Sequence, residues 1–265
     1  MFLQNQLKKM SDWNTLHFFD DKYFYANIVT DLSNEGHLLK KYFKSDLWKD
    51  ILFDNNNSDA RIKAMLDFCQ HLDKDFKRHK ELSSILNRKK QPNEEYSKFR
   101  HQLNEDEKEF TLKNTYAFAD LNDTLPLLLF SECASFNPHL ILGRRIFSGA
   151  VDAKPKSVSE QIISQIMHAE TGCVYSYGGE GIINWITNEE LQLLWLDKDN
   201  LFAKNPESED YFQDFLTFTA IAIKNNWGFI SVTNVREELL KKAKNPFFES
   251  DLDLKSLGVK NIINY

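Results

Sequence analysis

Much of this chain carries apolar residues at helical spacing. Apolar positions that recur every three or four residues predict helices over 38–52, 62–76 and 157–171. A run of Asp and Asn side chains separates the first two, because such side chains compete for backbone hydrogen bonds. Further helices are predicted after Asn205, where Pro206 follows, and after Asn234. These stripes predict a mainly helical body that buries one face of each helix.

Two segments carry residues that are typical of the first turn of a helix. The apolar run 125–130 predicts a buried helix with Pro126 in its first turn, where the missing N–H of proline is not needed. Thr187 and Glu190 fit a capping box, in which the threonine side chain caps the helix and the glutamate reaches back to the threonine N–H. We therefore expect a helix directly after Thr187.

The positions of the glycines predict where the chain forms a β-hairpin. The chain has 9 glycines, and Gly172, Gly178, Gly179 and Gly181 fall close together. Because glycine adopts the positive φ of tight turns, this cluster predicts a hairpin with strands near 173–177 and 182–186. Residues 228–233 predict a short strand. The expected fold is mainly α with a minor antiparallel β element, and an α+β fold is the alternative.

The domain organisation follows from one polar stretch. Residues 87–95 are polar and contain Pro92, which ends the preceding helix. We prefer a single mostly helical domain over 1–265. The stretch also allows a subdivision into a helical part, 1–90, and an acidic part with the hairpin, 91–265.

Charge and cysteine usage exclude several classes. The net charge is −6; residues 1–110 hold 19 basic and 19 acidic residues, and the rest hold 14 and 20. An acidic chain binds nucleic acid poorly, since phosphate contacts need Lys and Arg, and is a better match for a basic protein. The 3 cysteines are far apart, which indicates neither a disulfide framework nor zinc. With no signal peptide or membrane span expected, we predict a cytoplasmic protein without membrane contact.

Candidate catalytic motifs fail on their spacing. His168 and Glu170 form an H-x-E, but the cysteine pair that a zinc deaminase requires is missing. The cluster near Gly178 is not G-x-G-x-x-G. The segment that begins at Asp197 resembles a calcium loop, yet Phe202 and Ser208 stand where glycine and glutamate are needed. We predict no catalytic residue, no metal ligand and no cofactor.

An acidic segment with interleaved aromatics is the one feature that suggests a function. Between Trp195 and Asp214, six acidic residues stand against two lysines, a net −4. The predicted partner-binding residues combine this segment with the hairpin: Tyr175, Tyr177, Trp185, Trp195, Asp197, Asp199, Glu207, Glu209, Asp210 and Asp214. Acidic residues around aromatics are typical of a surface for a basic protein. A solvated helix face with core aromatics is the other interpretation.

The predicted function is a non-enzymatic protein-binding module. Its most concrete form is an immunity-type inhibitor that masks a basic toxin, such as a nuclease. The alternative from another class is a hydrolase whose site is assembled from residues distant in sequence. A nucleic-acid-associated factor that uses Arg88 and Arg144 is disfavoured by the acidic balance. The oligomeric state remains open at this point.

Overall fold

A six-stranded antiparallel sheet lies at the centre of the fold. The computed structural model describes residues 13–46, 58–69, 115–135, 139–144, 150–167, 175–177, 180–233 and 252–263. The sheet consists of β1 (Trp13–Phe19), β2 (His139–Arg144), β4 (Tyr175–Tyr177), β5 (Glu180–Ile186), β7 (Gly228–Thr233) and β8 (Ile262–Ile263), in the order β4-β5-β7-β1-β2-β8. A separate antiparallel pair consists of β3 (Val151–Ala153) and β6 (Leu201–Ala203).

Seven helical segments accompany the strands in these ranges. They are α1 (Asp21–Tyr23, the π-helical Phe24–Val29 and Thr30–Ser33), α2 (His37–Phe43), α3 (Ser58–Cys69), α4 (Thr115–Glu132), α5 (Val158–Met167), α6 (Asn188–Leu196) and α7 (Glu209–Lys224). Short 3₁₀ turns, Lys198–Asn200 and Pro206–Ser208, flank β6. Helix exceeds strand among the described residues, and the fold is mixed α+β.

Both faces of the sheet are covered. Along β7, Ile230 and Val232 pack against α1 to α4, which we name the N-terminal layer. Phe229 points to the other face and packs against α5, α6 and α7, the C-terminal layer. Because side chains alternate along a strand, a sheet between two helical layers needs apolar residues at successive positions. The central strands therefore lack the apolar–polar alternation of a half-exposed sheet.

Several predicted elements are confirmed. The hairpin forms from β4 and β5, with Tyr175 opposite Ile182, and the last long strand is β7 as expected. Helix α6 begins after Thr187 with the complete capping box, because Thr187 accepts from the Glu190 N–H and the Glu190 carboxylate accepts from the Thr187 N–H. The antiparallel β element forms as expected, and the mixed α+β fold given as the alternative describes the chain, since the sheet lies between two helical layers.

Two helix predictions were wrong in their bounds. Pro126 lies inside α4, which begins at Thr115, and not in a first turn. Apolar burial along 125–130 compensates the cost of an interior proline, about 3 kcal/mol. The helix predicted over 38–52 begins at His37 and is interrupted after Phe43, and residues 47–52 of the predicted range lie outside the described residues. The predicted helix after Asn234 and the polar stretch 87–95 lie outside the described residues.

Gly228 begins β7 where this strand leaves no room for a side chain. A Cβ built there would lie 2.1 Å from the backbone oxygen of Ile186. A backbone atom at this distance cannot rotate away, so glycine is required for the close approach of β7 to the end of β5. None of the helices in the described ranges has the length and apolar character needed to cross a bilayer.

Candidate partner-binding surface

The acidic segment runs from the end of α6 through β6 into the first half of α7. The chain leaves α6 at Leu196, passes through the turn Lys198–Asn200 and β6, and enters α7 after the turn Pro206–Ser208. Pro206 suits this turn because a first turn does not use its missing N–H. Five of the six acidic residues of this segment lie on turns or at helix ends, and Asp214 lies inside α7.

The side chain of Asp197 has a structural role, because both of its carboxylate oxygens accept hydrogen bonds within the fold. Its Oδ2 accepts the backbone N–H of Ser159 at 2.8 Å, and its backbone oxygen accepts the Ser159 hydroxyl at 2.9 Å. Its Oδ1 accepts from Asn200 Nδ2 at 2.7 Å. The hydrogen bond from the Ser159 backbone lowers the pKa of the Asp197 carboxyl. Asp197 thus caps the N-terminus of α5 from the end of α6.

Asp214 also has a structural role, and only 2% of this residue is exposed. Its carboxylate accepts the backbone N–H of Lys260 at 3.0 Å and that of Asn261 at 2.6 Å. The side-chain amide of Asn261 donates to it as well, at 2.8 Å. This residue fastens the C-terminal segment to α7, so it does not contribute to an accessible surface.

The remaining four carboxylates are exposed. We name Asp199, Glu207, Glu209 and Asp210 the acidic surface. Asp210 forms an ion pair with Lys260 Nζ at 3.1 Å, and Glu209 accepts from Gln213 Nε2 at 2.7 Å. Within the described ranges, no other member of the acidic surface has a lysine, arginine or histidine within ion-pair distance. Most of its negative charge is therefore free to act on a ligand.

Aromatic rings lie among these carboxylates. Phe202 on β6 is 42% exposed. Trp195 is half-buried, and the Nζ of Lys198 lies 4.1 Å from its ring centroid, a cation–π contact. Tyr211 is half-buried against the core of the C-terminal layer. Trp195, Phe202 and Tyr211 therefore offer apolar contact area in the same segment of the chain as the carboxylates.

The hairpin does not join this surface through Trp185. That indole is 1% exposed, packs in the N-terminal layer and donates its Nε1–H to the Tyr25 hydroxyl at 2.7 Å. Tyr175 and Tyr177 lie on the edge strand β4, which pairs only with β5 in the described sheet, and their side chains lie outside the described residues. The structure therefore separates Trp185 from the acidic surface by the thickness of the sheet.

Two polar side chains elsewhere in the fold, His17 and Tyr42, have structural partners. His17 is buried between the Thr15 hydroxyl, at 2.7 Å, and the Ser135 carbonyl oxygen, at 2.9 Å. The Tyr42 hydroxyl donates to Glu132 at 2.5 Å, and burial together with this carboxylate raises the pKa of Tyr42. Sequence reasoning missed these groups because Ser135 lies 118 positions from His17 and Glu132 lies 90 positions from Tyr42.

The described side chains also offer little for metal or thiol chemistry. They include no group of three His, Cys, Asp or Glu residues arranged to hold a metal ion. Cys133 is a free, buried thiol whose pKa is raised by desolvation, which disfavours the reactive thiolate. Among the described residues, the acidic surface is the group of exposed charged side chains on which a functional interpretation can be based.

A comparison of the chain with protein-family models, curated proteins and solved structures gives no match.

Proposed function

We propose that this chain is a protein-binding module whose acidic surface recognises a basic protein. The observation that carries the proposal is the exposure of Asp199, Glu207, Glu209 and Asp210 on one short segment. The chain has a net charge of −6, and residues 111–265 contribute all of it. Complementary charge raises the association rate and excludes partners of the same sign.

The neighbouring rings provide the second component of such a contact. Phe202 is exposed and Trp195 is half-buried. Aromatic residues are enriched at the centres of protein interfaces, where they supply apolar area at a low entropic cost. The acidic surface would set the encounter, and the aromatic contact would determine how long the complex lasts.

The most concrete form of the proposal is an immunity-type inhibitor. A toxin that acts on nucleic acid must present a basic surface to phosphate, and a folded acidic domain can cover that surface. Asp197 and Asp214 help by fixing the backbone on either side of the acidic surface. A surface held in this way loses little conformational freedom when it binds.

Affinity capture with matched charge variants tests this proposal. The tagged chain is compared with Asp199→Lys/Glu207→Lys in a lysate of the cells that produce it, and bound proteins are identified by mass spectrometry. Glu35→Lys/Asp59→Lys, on the exposed side of the N-terminal layer, changes the net charge equally. We expect a basic protein to be retained by the wild type and the control, and lost from the first variant. Equal retention by all three, or no basic protein, would refute the proposal.

A further inference from the structure

Three groups on and beside β1 form a continuous chain of hydrogen bonds. The Thr15 hydroxyl oxygen lies 2.7 Å from His17 Nε2, and His17 Nδ1 lies 2.9 Å from the carbonyl oxygen of Ser135. Residues two apart on a strand point to the same face, so β1 places the hydroxyl directly beside the imidazole. A hydroxyl, a base and a third group that orients the base are the parts with which enzymes activate a hydroxyl nucleophile.

The Ser135 carbonyl determines which nitrogen of His17 carries the proton. A carbonyl oxygen only accepts hydrogen bonds, so Nδ1 is the donor to Ser135. In the neutral ring, Nε2 then offers a lone pair, and the Thr15 hydroxyl donates to it. Only 1% of His17 is exposed, and desolvation favours the neutral imidazole over the charged form. The proton of the Thr15 hydroxyl therefore already points at a base.

Packing holds this base in one orientation. The His17 ring contacts the Phe130 ring edge to face, with 4.7 Å between the ring centroids. The backbone N–H of Ser135 donates to the Phe18 carbonyl oxygen at 2.9 Å, which fixes the orienting carbonyl group against β1. A base that is fixed before the reaction loses little conformational freedom when the substrate reacts.

The hydroxyl is more accessible than the base. Thr15 is half-buried, whereas His17 is buried. Beside Thr15 the pairing of β1 with β2 is irregular: Trp13 lies opposite Arg144 and Thr15 lies opposite Ile141, so β2 has one residue more than β1 over this distance. Such bulges recur next to active sites, where they re-aim a side chain or end the pairing. A small substrate can therefore reach the hydroxyl, while bulk water is kept from the imidazole.

We propose that Thr15 is the nucleophile of an acyl-transfer site that cleaves esters of small carboxylic acids, with His17 as its general base. The Thr15 oxygen forms a bond to the ester carbonyl carbon while its proton passes to His17 Nε2. The bond from that carbon to the alcohol oxygen then breaks, and Nε2 gives the proton to the departing alcohol. A water molecule next attacks the acyl group on Thr15, and Nε2 takes a proton from it. This proton restores the Thr15 hydroxyl as the carboxylic acid leaves.

This activity goes beyond the proposed function and is independent of it. The side chains of Thr15 and His17 point to the N-terminal layer, because His17 contacts Phe130 of α4. The acidic surface belongs to the C-terminal layer, so the two roles use opposite faces of the sheet. Ester cleavage belongs to the hydrolase class that the sequence left as an alternative.

Hydrolysis of p-nitrophenyl acetate by the full chain tests the activity through the release of p-nitrophenolate. Thr15→Val removes the hydroxyl and should lower the rate at least ~10-fold, because the activated nucleophile is lost. Thr15→Ser keeps a hydroxyl and should keep most of the rate. Thr217→Val is the matched control, since Thr217 is also half-buried but its hydroxyl donates to the Gln213 carbonyl oxygen. A wild-type rate in Thr15→Val, or an equal loss in Thr217→Val, would overturn the proposal.

Labelling of the unaltered chain gives a second test that no misfolded variant can mimic. A small fluorophosphonate transfers its phosphonyl group to an activated hydroxyl with loss of fluoride, and water releases this group only slowly. Peptide mass spectrometry should find at least ~10-fold more label on Thr15 than on Thr217. His17→Gln, shown to be folded by circular dichroism, should lose the label. Equal labelling of the two threonines, or a label on Thr15 that persists in folded His17→Gln, would refute the assignment.

Discussion

The carboxylate of Asp214 accepts two hydrogen bonds from Asn261, one from the backbone N–H at 2.6 Å and one from the side chain at 2.8 Å. This contact joins α7 to a segment 47 residues further along the chain. Hydrogen bonds to a carboxylate are stronger than neutral ones. An acidic residue that looks like part of a charged surface in the sequence is therefore a tie between two parts of the fold.

Replacing Asp214 with asparagine should destabilise the protein by about 2–3 kcal/mol. The amide nitrogen of the new side chain would face N–H donors that now point at an oxygen, and the charge that strengthens these bonds would be lost. Urea unfolding followed by circular dichroism measures the effect. Asp210→Asn is the matched control, because this exposed residue forms a surface ion pair with Lys260, worth about 0–1 kcal/mol. Equal losses in both variants would show that the buried contact does not form.

Gly228→Ala should destabilise the protein by about 3 kcal/mol or more, at the upper end of overpacking effects. The new methyl group would meet the Ile186 oxygen, so β7 would have to move away from β5. Gly258→Ala is the comparison, since a Cβ there has open space and only its φ of +93° is unfavourable. Thermal unfolding should give a lower Tm for the first variant than for the second. The opposite order would argue against the close approach at Gly228.

Asp21 makes a distinct prediction about pH. Its side chain is buried, Oδ2 accepts from the Asn188 N–H at 3.3 Å, and Oδ1 has no hydrogen-bond partner among the described residues. Desolvation by burial raises the pKa of this carboxyl above its ordinary value of 3.8. The folded state therefore binds the proton more tightly than the unfolded state does. The stability contribution of Asp21 is present below pH 3.8 and is lost as the pH rises through the raised pKa.

The variant Asp21→Asn isolates this contribution. It should be more stable than the wild type at pH 7, where the wild type buries a charge, and the difference should shrink as the pH falls towards 3.8. The unfolding free energy of both proteins, measured in urea at several pH values, gives the comparison. A difference that stays constant with pH would mean that Asp21 does not titrate differently in the fold.

Local signals in the sequence predicted local structure well. The capping box at Thr187 and the strand 228–233 formed as expected, because both depend on neighbouring residues. By contrast, β1 was missed: Leu16 and Phe18 point into one core while Phe19 points into the other. A strand buried on both faces has no alternation to detect.

The candidate site was predicted only in part. A sequence gives the number of carboxylates in the segment, but not the N–H groups that some of them bind. Asp197 is hydrogen-bonded to Ser159, which lies 38 residues away in the sequence, and Trp185 is hydrogen-bonded to Tyr25, which lies 160 residues away. Such contacts depend on how the layers pack on the sheet. For the four exposed carboxylates, Asp199, Glu207, Glu209 and Asp210, the interpretation as a partner-binding surface stays a prediction.

The association rate of the captured partner, measured by stopped flow against salt concentration, tests the central claim most directly. If the acidic surface steers a basic protein, the rate constant should fall steadily as salt rises, because ions screen exposed charges. Asp199→Lys/Glu207→Lys should associate ~10-fold more slowly than the wild type at low salt, and Glu35→Lys/Asp59→Lys should not. Association that is independent of salt and equal in all three proteins would contradict the account.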